Sequence, residues 1–166
     1  MNATFLWIRR KCLAARKNGS AKTCTVSRAF FDTNILIYQL DKRDVKKRAL
    51  ARDLFKQKAI AGDAVISTQV LQEFYVAATV KLHVDPLLVK SIIHMFENME
   101  VVVVGKDLIN EAVDASLQYK LSFWDSLIVV SAESAKCESL YTEDLNAGQI
   151  IRTVKIINPL KSAATS

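Results

Sequence analysis

The 166-residue chain is poor in the residues on which several function classes depend. It has four glycines and two prolines. Neither G-x-G-x-x-G nor G-x-x-x-x-G-K-[ST] occurs, so the backbone cradles of dinucleotide-binding and P-loop proteins are missing. Its three cysteines, Cys12, Cys24 and Cys137, are odd in number and have no C-x-x-C spacing. Neither a disulfide framework nor a zinc site is indicated, and the composition suits a reducing cytosol, hence a cytoplasmic protein. The two histidines, His83 and His94, stand eleven apart, which is not a helical metal spacing, and receive no role. No apolar run approaches the ~20 residues that span a bilayer, so an integral membrane protein is not expected.

Acidic residues are absent from one stretch only. Residues 1 to 28 hold seven of the 23 basic residues and no acid, whereas the other 138 carry 16 basic against 17 acidic, a net of −1. The overall +6 therefore belongs to the arm, and the body is nearly neutral. Such an arm can bind nucleic acid or a membrane surface, and it vaguely resembles an Arg-rich targeting peptide. Residues 1–27 are expected to be a basic, disordered extension that stems from a misassigned start. The domain then spans 28–160, and 161–166 form a tail.

What is present from Arg28 onward is alternation. Arg28 to Phe31 reads as a strand and Asn34 to Leu40 as a short helix. Val45 to Ala61 reads as a longer helix, with Val45, Ala49, Leu50, Leu54, Phe55 and Ala59 at helical spacing and Gly62 at the C-cap. Ala64 to Ile66 is a strand, and Ser67 caps a helix reaching about Leu82. Asp85 and Pro86 open a helix to about Asn98. Val101 to Val104, four β-branched residues before Gly105, predict a strand buried on both faces. Helices over 106–119 and 122–136 and strands over 140–142 and 153–157 complete the chain. This order implies a three-layer α/β/α sandwich around a mainly parallel sheet, with right-handed crossovers.

Four acids separate themselves from the rest. Asp32 stands between the apolar runs Ala29-Phe30-Phe31 and Ile35-Leu36-Ile37-Tyr38, at the carboxyl end of the first strand, where open α/β sheets bind ligands. Glu73 follows the apolar stripe of its helix, with Val70 three before and Ala77 four after. Asp125 faces inward near a helix start, and Asp144 follows the strand ending at Thr142. Each has a structural alternative: an Asx-turn for Asp32, a capping box with Ser122 for Asp125, and a turn or N-cap for Asp144. By contrast, Asp41, Asp44, Asp53, Glu97, Asp107, Glu111, Asp114, Glu133 and Glu138 read as solvated faces and caps. Two unit charges ~4 Å apart cost on the order of 4 kcal/mol at an effective dielectric near 20. No Lys or Arg falls beside each of the four acids, whereas one divalent cation would neutralise the group. Oxygen donors without a His or Cys cluster select Mg²⁺ or Mn²⁺, and carboxylates holding such ions are what phosphodiester hydrolysis needs.

The segments Phe31-Asp32-Thr33-Asn34-Ile35-Leu36, Gln72-Glu73-Phe74, Phe123-Trp124-Asp125-Ser126-Leu127-Ile128 and Tyr141-Thr142-Glu143-Asp144-Leu145 resemble, in order and spacing, the four signature segments of the PIN-domain family. The likeness covers about residues 28 to 160. It implies a Mg²⁺- or Mn²⁺-dependent ribonuclease that prefers single strands, similar to VapC-type toxins restrained by an antitoxin protein. On that resemblance Asp32, Glu73, Asp125 and Asp144 are the catalytic acids, Asn34 and Thr142 polar support, and Glu143 an accessory acid. The basic arm departs from the family pattern. The resemblance also implies a homodimer, for which Leu40, Phe55 and Tyr75 are candidate exposed apolar residues. The residues themselves offer Lys42, Arg43, Lys46, Lys47 and Arg48 as an RNA-contacting rim, with a solvated helix face as the alternative. Two other readings stay open: a non-catalytic PIN-like module that binds RNA or protein, and a haloacid-dehalogenase-like phosphatase. The latter lacks its second Asp, since Asn34 occupies that position.

Overall fold

The computed structural model describes residues 27–161. The expectations for the arm up to residue 26, and for the tail from 162, lie outside the described residues.

Six strands form one sheet in the order β3-β2-β1-β4-β6-β5. At its centre is β1 (Ala29–Phe31), entirely buried and parallel to both β2 (Ala64–Ser67) and β4 (Ser139–Tyr141). A strand with helices on both faces must be apolar throughout, and Ala29, Phe30 and Phe31 satisfy that condition. Full burial of a phenylalanine contributes ~1.5–3 kcal/mol. β6 (Val154–Ile157) lies parallel to β4, and β5 (Ile150–Ile151) closes the edge antiparallel to β6. The chain steps outward from β1 to β2 to β3 (Glu100–Val102), then crosses back over the sheet to β4. With right-handed crossovers the two sets of helices must lie on opposite faces, which gives the three layers.

The first set comprises α1 (Thr33–Tyr38), α2 (Val45–Ala61), α3 (Thr68–Val76) and α4 (Pro86–Phe96); the return crossover comprises α5 (Lys106–Tyr119) and α6 (Phe123–Ser134). Their ends are fixed by local chemistry. Asp44 accepts from Lys47 N (2.9 Å) to start α2, and Gly62, at φ 79°, ends it in the left-handed conformation that favours glycine. Ser67 caps α3, which continues into a π-helical turn over Ala77–Lys81. Asp85 caps α4 with Pro86 in its first turn. One core joins the sheet to α1–α4 and part of α6, and a smaller cluster of Ala112, Ala115, Leu127 and Val130 locks α5 to α6. No described helix is long and apolar enough to cross a membrane.

Four expectations need correction. The valine run is not a strand buried on both faces: β3 is the sheet edge, covers Glu100–Val102, and leaves Val103 73% exposed. The inward stripe of α2 is Ala51, Phe55 and Ala59, with Val45 and Leu50 outside, so Phe55 belongs to the core and not to an exposed apolar face. Leu40 is half-buried against the same core, and only Tyr75 of the three suggested dimer residues is exposed. Asp41 is buried, not solvated, and Arg43 grips it through its side chain and backbone. The hairpin joining β5 to β6 is also absent from the sequence reading. Its turn passes through Arg152 at φ 56°, with no Asn-Gly or Asp-Gly to announce it.

Candidate active site

The strand order reverses between β1 and β4: the chain leaves β1 toward β2 on one side and leaves β4 toward β6 and β5 on the other. The carboxyl ends of strands that flank such a switch point are where open α/β sheets bind ligands. Asp32 follows β1, Thr142 and Asp144 follow β4, and Asp32 N bonds to Tyr141 O (3.1 Å) across the pair. Asp32 is thus held at the switch point by the sheet itself.

Its carboxylate is enclosed by short-range donors. Thr33 N donates to Oδ1 (2.6 Å), while Thr142 Oγ1 (2.6 Å) and Asn34 Nδ2 (2.9 Å) donate to Oδ2. Asn34 Nδ2 also reaches Asp144 Oδ2 (3.0 Å), so one amide lies between two carboxylates. Asn34 and Thr142 also bond each other, Asn34 Nδ2 donating to Thr142 Oγ1 (3.2 Å). Glu73 approaches from α3: Thr33 Oγ1 donates to its Oε2 (2.7 Å) and Gln69 Nε2 to its Oε1 (2.9 Å). Gln69 also contacts the backbone carbonyl of Trp124 (3.4 Å), tying α3 to the start of α6, where Asp125 lies. Asp125 makes the capping arrangement with Ser122, whose Oγ donates to its Oδ2 (2.6 Å) and accepts from its N (3.1 Å). The structure thus shows Asp125 in the capping arrangement.

Among the described residues no ion pair reaches any of the four acids. The effect is visible at Asp32, which is 5% exposed. Burial above all, helped by the charges of Asp144 and Glu73 and opposed by the hydrogen bonds from Thr142 and Thr33, pushes its carboxyl up to about 7. Glu143 turns elsewhere: it accepts from Tyr38 OH (2.6 Å) and pairs with Lys47 (3.4 Å), whose Nζ also contacts the Tyr38 hydroxyl and lies 4.6 Å from the ring centroid. Of the basic rim, Arg43 is engaged by Asp41 and Lys47 by this group.

A family model for the PIN domain matches residues 29–152. The chain belongs to the PIN-domain family. With that assignment the dehalogenase-like phosphatase reading falls. Similar solved structures include a toxin–antitoxin complex from Klebsiella pneumoniae (23% identity, TM-score 0.59, 79% of this chain and 97% of that one). They also include VapC20 of Mycobacterium tuberculosis, described as a sarcin–ricin-loop-cleaving toxin (18%, 0.60, 70% and 89%), and DNA-bound VapBC of Salmonella typhimurium (17%, 0.59, 80% and 98%). At these identities the likeness carries the PIN fold. A comparison with curated proteins finds no match.

The donor set of this PIN domain fits a hard divalent cation in kind: carboxylate oxygens only, one of them on a buried group without a counter-charge. As the side chains stand, no three such groups among the described residues are gathered closely enough to hold an ion. Asp144 rests on Asn34 and Asp125 on Ser122, and both would have to exchange those donors for metal. Sequence reasoning missed Thr33 and Gln69 as residues that orient the acids, whereas the Ser122 cap on Asp125 was read from the sequence. Their signals were available, since Gln69 precedes Glu73 by one helical turn and Thr33 sits between two residues already singled out.

Proposed function

We propose that this PIN domain is a Mg²⁺- or Mn²⁺-dependent endoribonuclease that cleaves single-stranded RNA, acting in the cytoplasm as the toxin of a toxin–antitoxin pair. The observation that carries the reading is Asp32, a carboxylate buried at the switch point with Asp144 and Glu73 near it and no cation opposite. Asp32, Glu73, Asp125 and Asp144 are the residues that would hold the ion. When bound, the ion would activate water and neutralise charge on the phosphate and the leaving oxygen. The chain's own residues set the geometry. Thr142, Asn34 and the Thr33 amide fix both oxygens of Asp32, while Thr33 Oγ1 and Gln69 hold those of Glu73. Asn34 bridges Asp32 and Asp144, and Ser122 sets the rotamer of Asp125. This positioning is what an in-line attack on a phosphodiester demands. Glu143 is an accessory acid held off the centre by Tyr38 and Lys47.

The toxin role is supported by solved neighbours described as a toxin–antitoxin complex and as a toxin, and it implies an antitoxin partner. A homodimer follows from the same reading, and exposed Tyr75, Leu87 and Leu88 replace Phe55 as the residues it would cover. Light scattering showing a monomer at micromolar concentration would remove the dimer. Lys42, Arg43, Lys46, Lys47 and Arg48 remain the proposed phosphate-contacting rim.

Purified protein with Mg²⁺ or Mn²⁺ is expected to cleave single-stranded RNA, to stop on addition of EDTA, and to lose activity in Asp32→Asn and Asp125→Asn. A non-catalytic PIN module is the second reading, favoured by the closed Ser122–Asp125 cap. It would leave the RNA bound and intact in the same assay.

A further inference from the structure

Beside the acids lies a pocket of about 280 Å³ between α3, α5 and α6. Its walls include Gln69 and Gln72 from α3, Ile109 from α5, and Phe123, Trp124 and Leu127 from α6. We propose that it receives one nucleobase of the RNA strand, adjacent to the phosphate offered to the acids. The proposal deepens the ribonuclease reading and rests on it.

Three features point to a base. The first is an exposed aromatic residue: Trp124 is 60% exposed and its ring meets that of Phe123 edge-on, with centroids 5.3 Å apart at 71°. An exposed indole is a stacking platform for a flat ring, and every base has such a face. The second is polar capacity without charge. No Lys, Arg, Asp or Glu lines the pocket, so it suits the uncharged base and not the phosphate. Gln69 is 3% exposed, and its Nε2 is committed to Glu73 and to the Trp124 carbonyl, while its Oε1 is buried without a partner. Gln72, exposed on the same helix, adds an amide that can pair with a base edge. The third is connection to the acids. Gln69 bonds Glu73 directly, and Trp124 immediately precedes Asp125, so an occupant of the pocket lies against the side chain that orients Glu73 and beside Asp125 in the chain. A nucleotide with its base on Trp124 would bring its phosphate toward Glu73 and Asp125.

The chain has two tryptophans, Trp7 and Trp124, so Trp7→Phe leaves Trp124 as the sole indole. In EDTA, where cleavage does not occur, adenosine, guanosine, cytidine and uridine are titrated separately against this full-length variant. Quenching of its fluorescence by at least one of them is expected. With Mg²⁺ or Mn²⁺ and single-stranded RNA, Trp124→Ala is expected to raise KM about tenfold, the effect of losing one stacked base, with a smaller change in kcat. Trp124→Phe should recover most of the loss, and thermal melts of both variants check that they fold. Gln72→Ala is expected to change the order of preference among the four nucleosides. If the parent protein cleaves RNA but KM is unmoved in Trp124→Ala and no nucleoside quenches, the base pocket is overturned and the ribonuclease reading stands. If no RNA is cleaved while nucleosides quench, the base site stands and the ribonuclease reading falls.

Discussion

Two aspartates nine residues apart, both buried, have opposite fates. Asp41, in the connection from α1 to α2, receives the Arg43 backbone N (2.9 Å) and a guanidinium fork (2.9 and 2.7 Å), and Arg43 holds its carboxyl down to about 2. Asp32, at the switch point, receives only neutral donors, and burial pushes it up to about 7. Burial alone therefore does not mark a reactive carboxylate. What distinguishes the two sites is whether the chain supplies its own cation, which holds one buried carboxyl down and leaves the other raised.

The contrast breaks most visibly in catalysis. Asp32→Asn is expected to lower RNA cleavage by at least ~10³-fold, as for loss of a group that acts as part of a unit. Asp41→Asn should stay near the parent rate, although its melting temperature should fall. Equal losses in the two variants would show that Asp32 is structural.

Next in size is the pH dependence of stability in EDTA. The folded pKa of Asp32 lies above its ordinary 3.8, so the native state holds the proton more tightly. Its contribution is complete below about 4 and is lost as pH rises toward 7, by an amount on the order of a few kcal/mol. Asp41 behaves in reverse: its contribution is complete above 3.8 and is lost as pH falls toward 2. Melts from pH 2 to 8 should show Asp32→Asn flattening the neutral side and Asp41→Asn flattening the acid side. If both variants keep the parent profile, the assignment of the two limbs is wrong.

A third measurement sharpens the same comparison. At pH 8, millimolar Mn²⁺ should raise the melting temperature of the parent and of Asp41→Asn, with a smaller rise for Asp32→Asn. A uniform rise would place the ion elsewhere.

The smallest expected effects concern the basic residues. Deleting residues 1–25 should leave the melting temperature and the metal response unchanged, and a truncated chain that fails to fold would make the arm structural. Lys46, Lys47 and Arg48 replaced together by Ala should weaken RNA binding and reduce its salt slope by up to ~3. Part of any Lys47 effect will come through Tyr38 and Glu143, which it already contacts.

The order of elements apart from β5, the caps at Asp44, Ser67, Asp85 and Ser122, and the placing of Asp32 after an apolar strand were all legible from the chain. They depend on residues within one helical turn, where local sterics and hydrogen bonding dominate. The edge position of β3 was not, because four β-branched residues favour a strand without specifying how many neighbours it has. Nor was the difference between Asp32 and Asp41. Both stand close to basic or polar residues in sequence, and only the fold turns Arg43 back onto Asp41 while burying Asp32 beneath Thr142, 110 positions away. By itself, then, the sequence determined a PIN-type alternation, three acids at element ends and a fourth, Glu73, on the inward stripe of a helix. The tertiary structure decided which acid is desolvated, which is paired, and that an exposed indole stands beside them, because burial and charge compensation are set by side chains that meet only when the sheet has assembled.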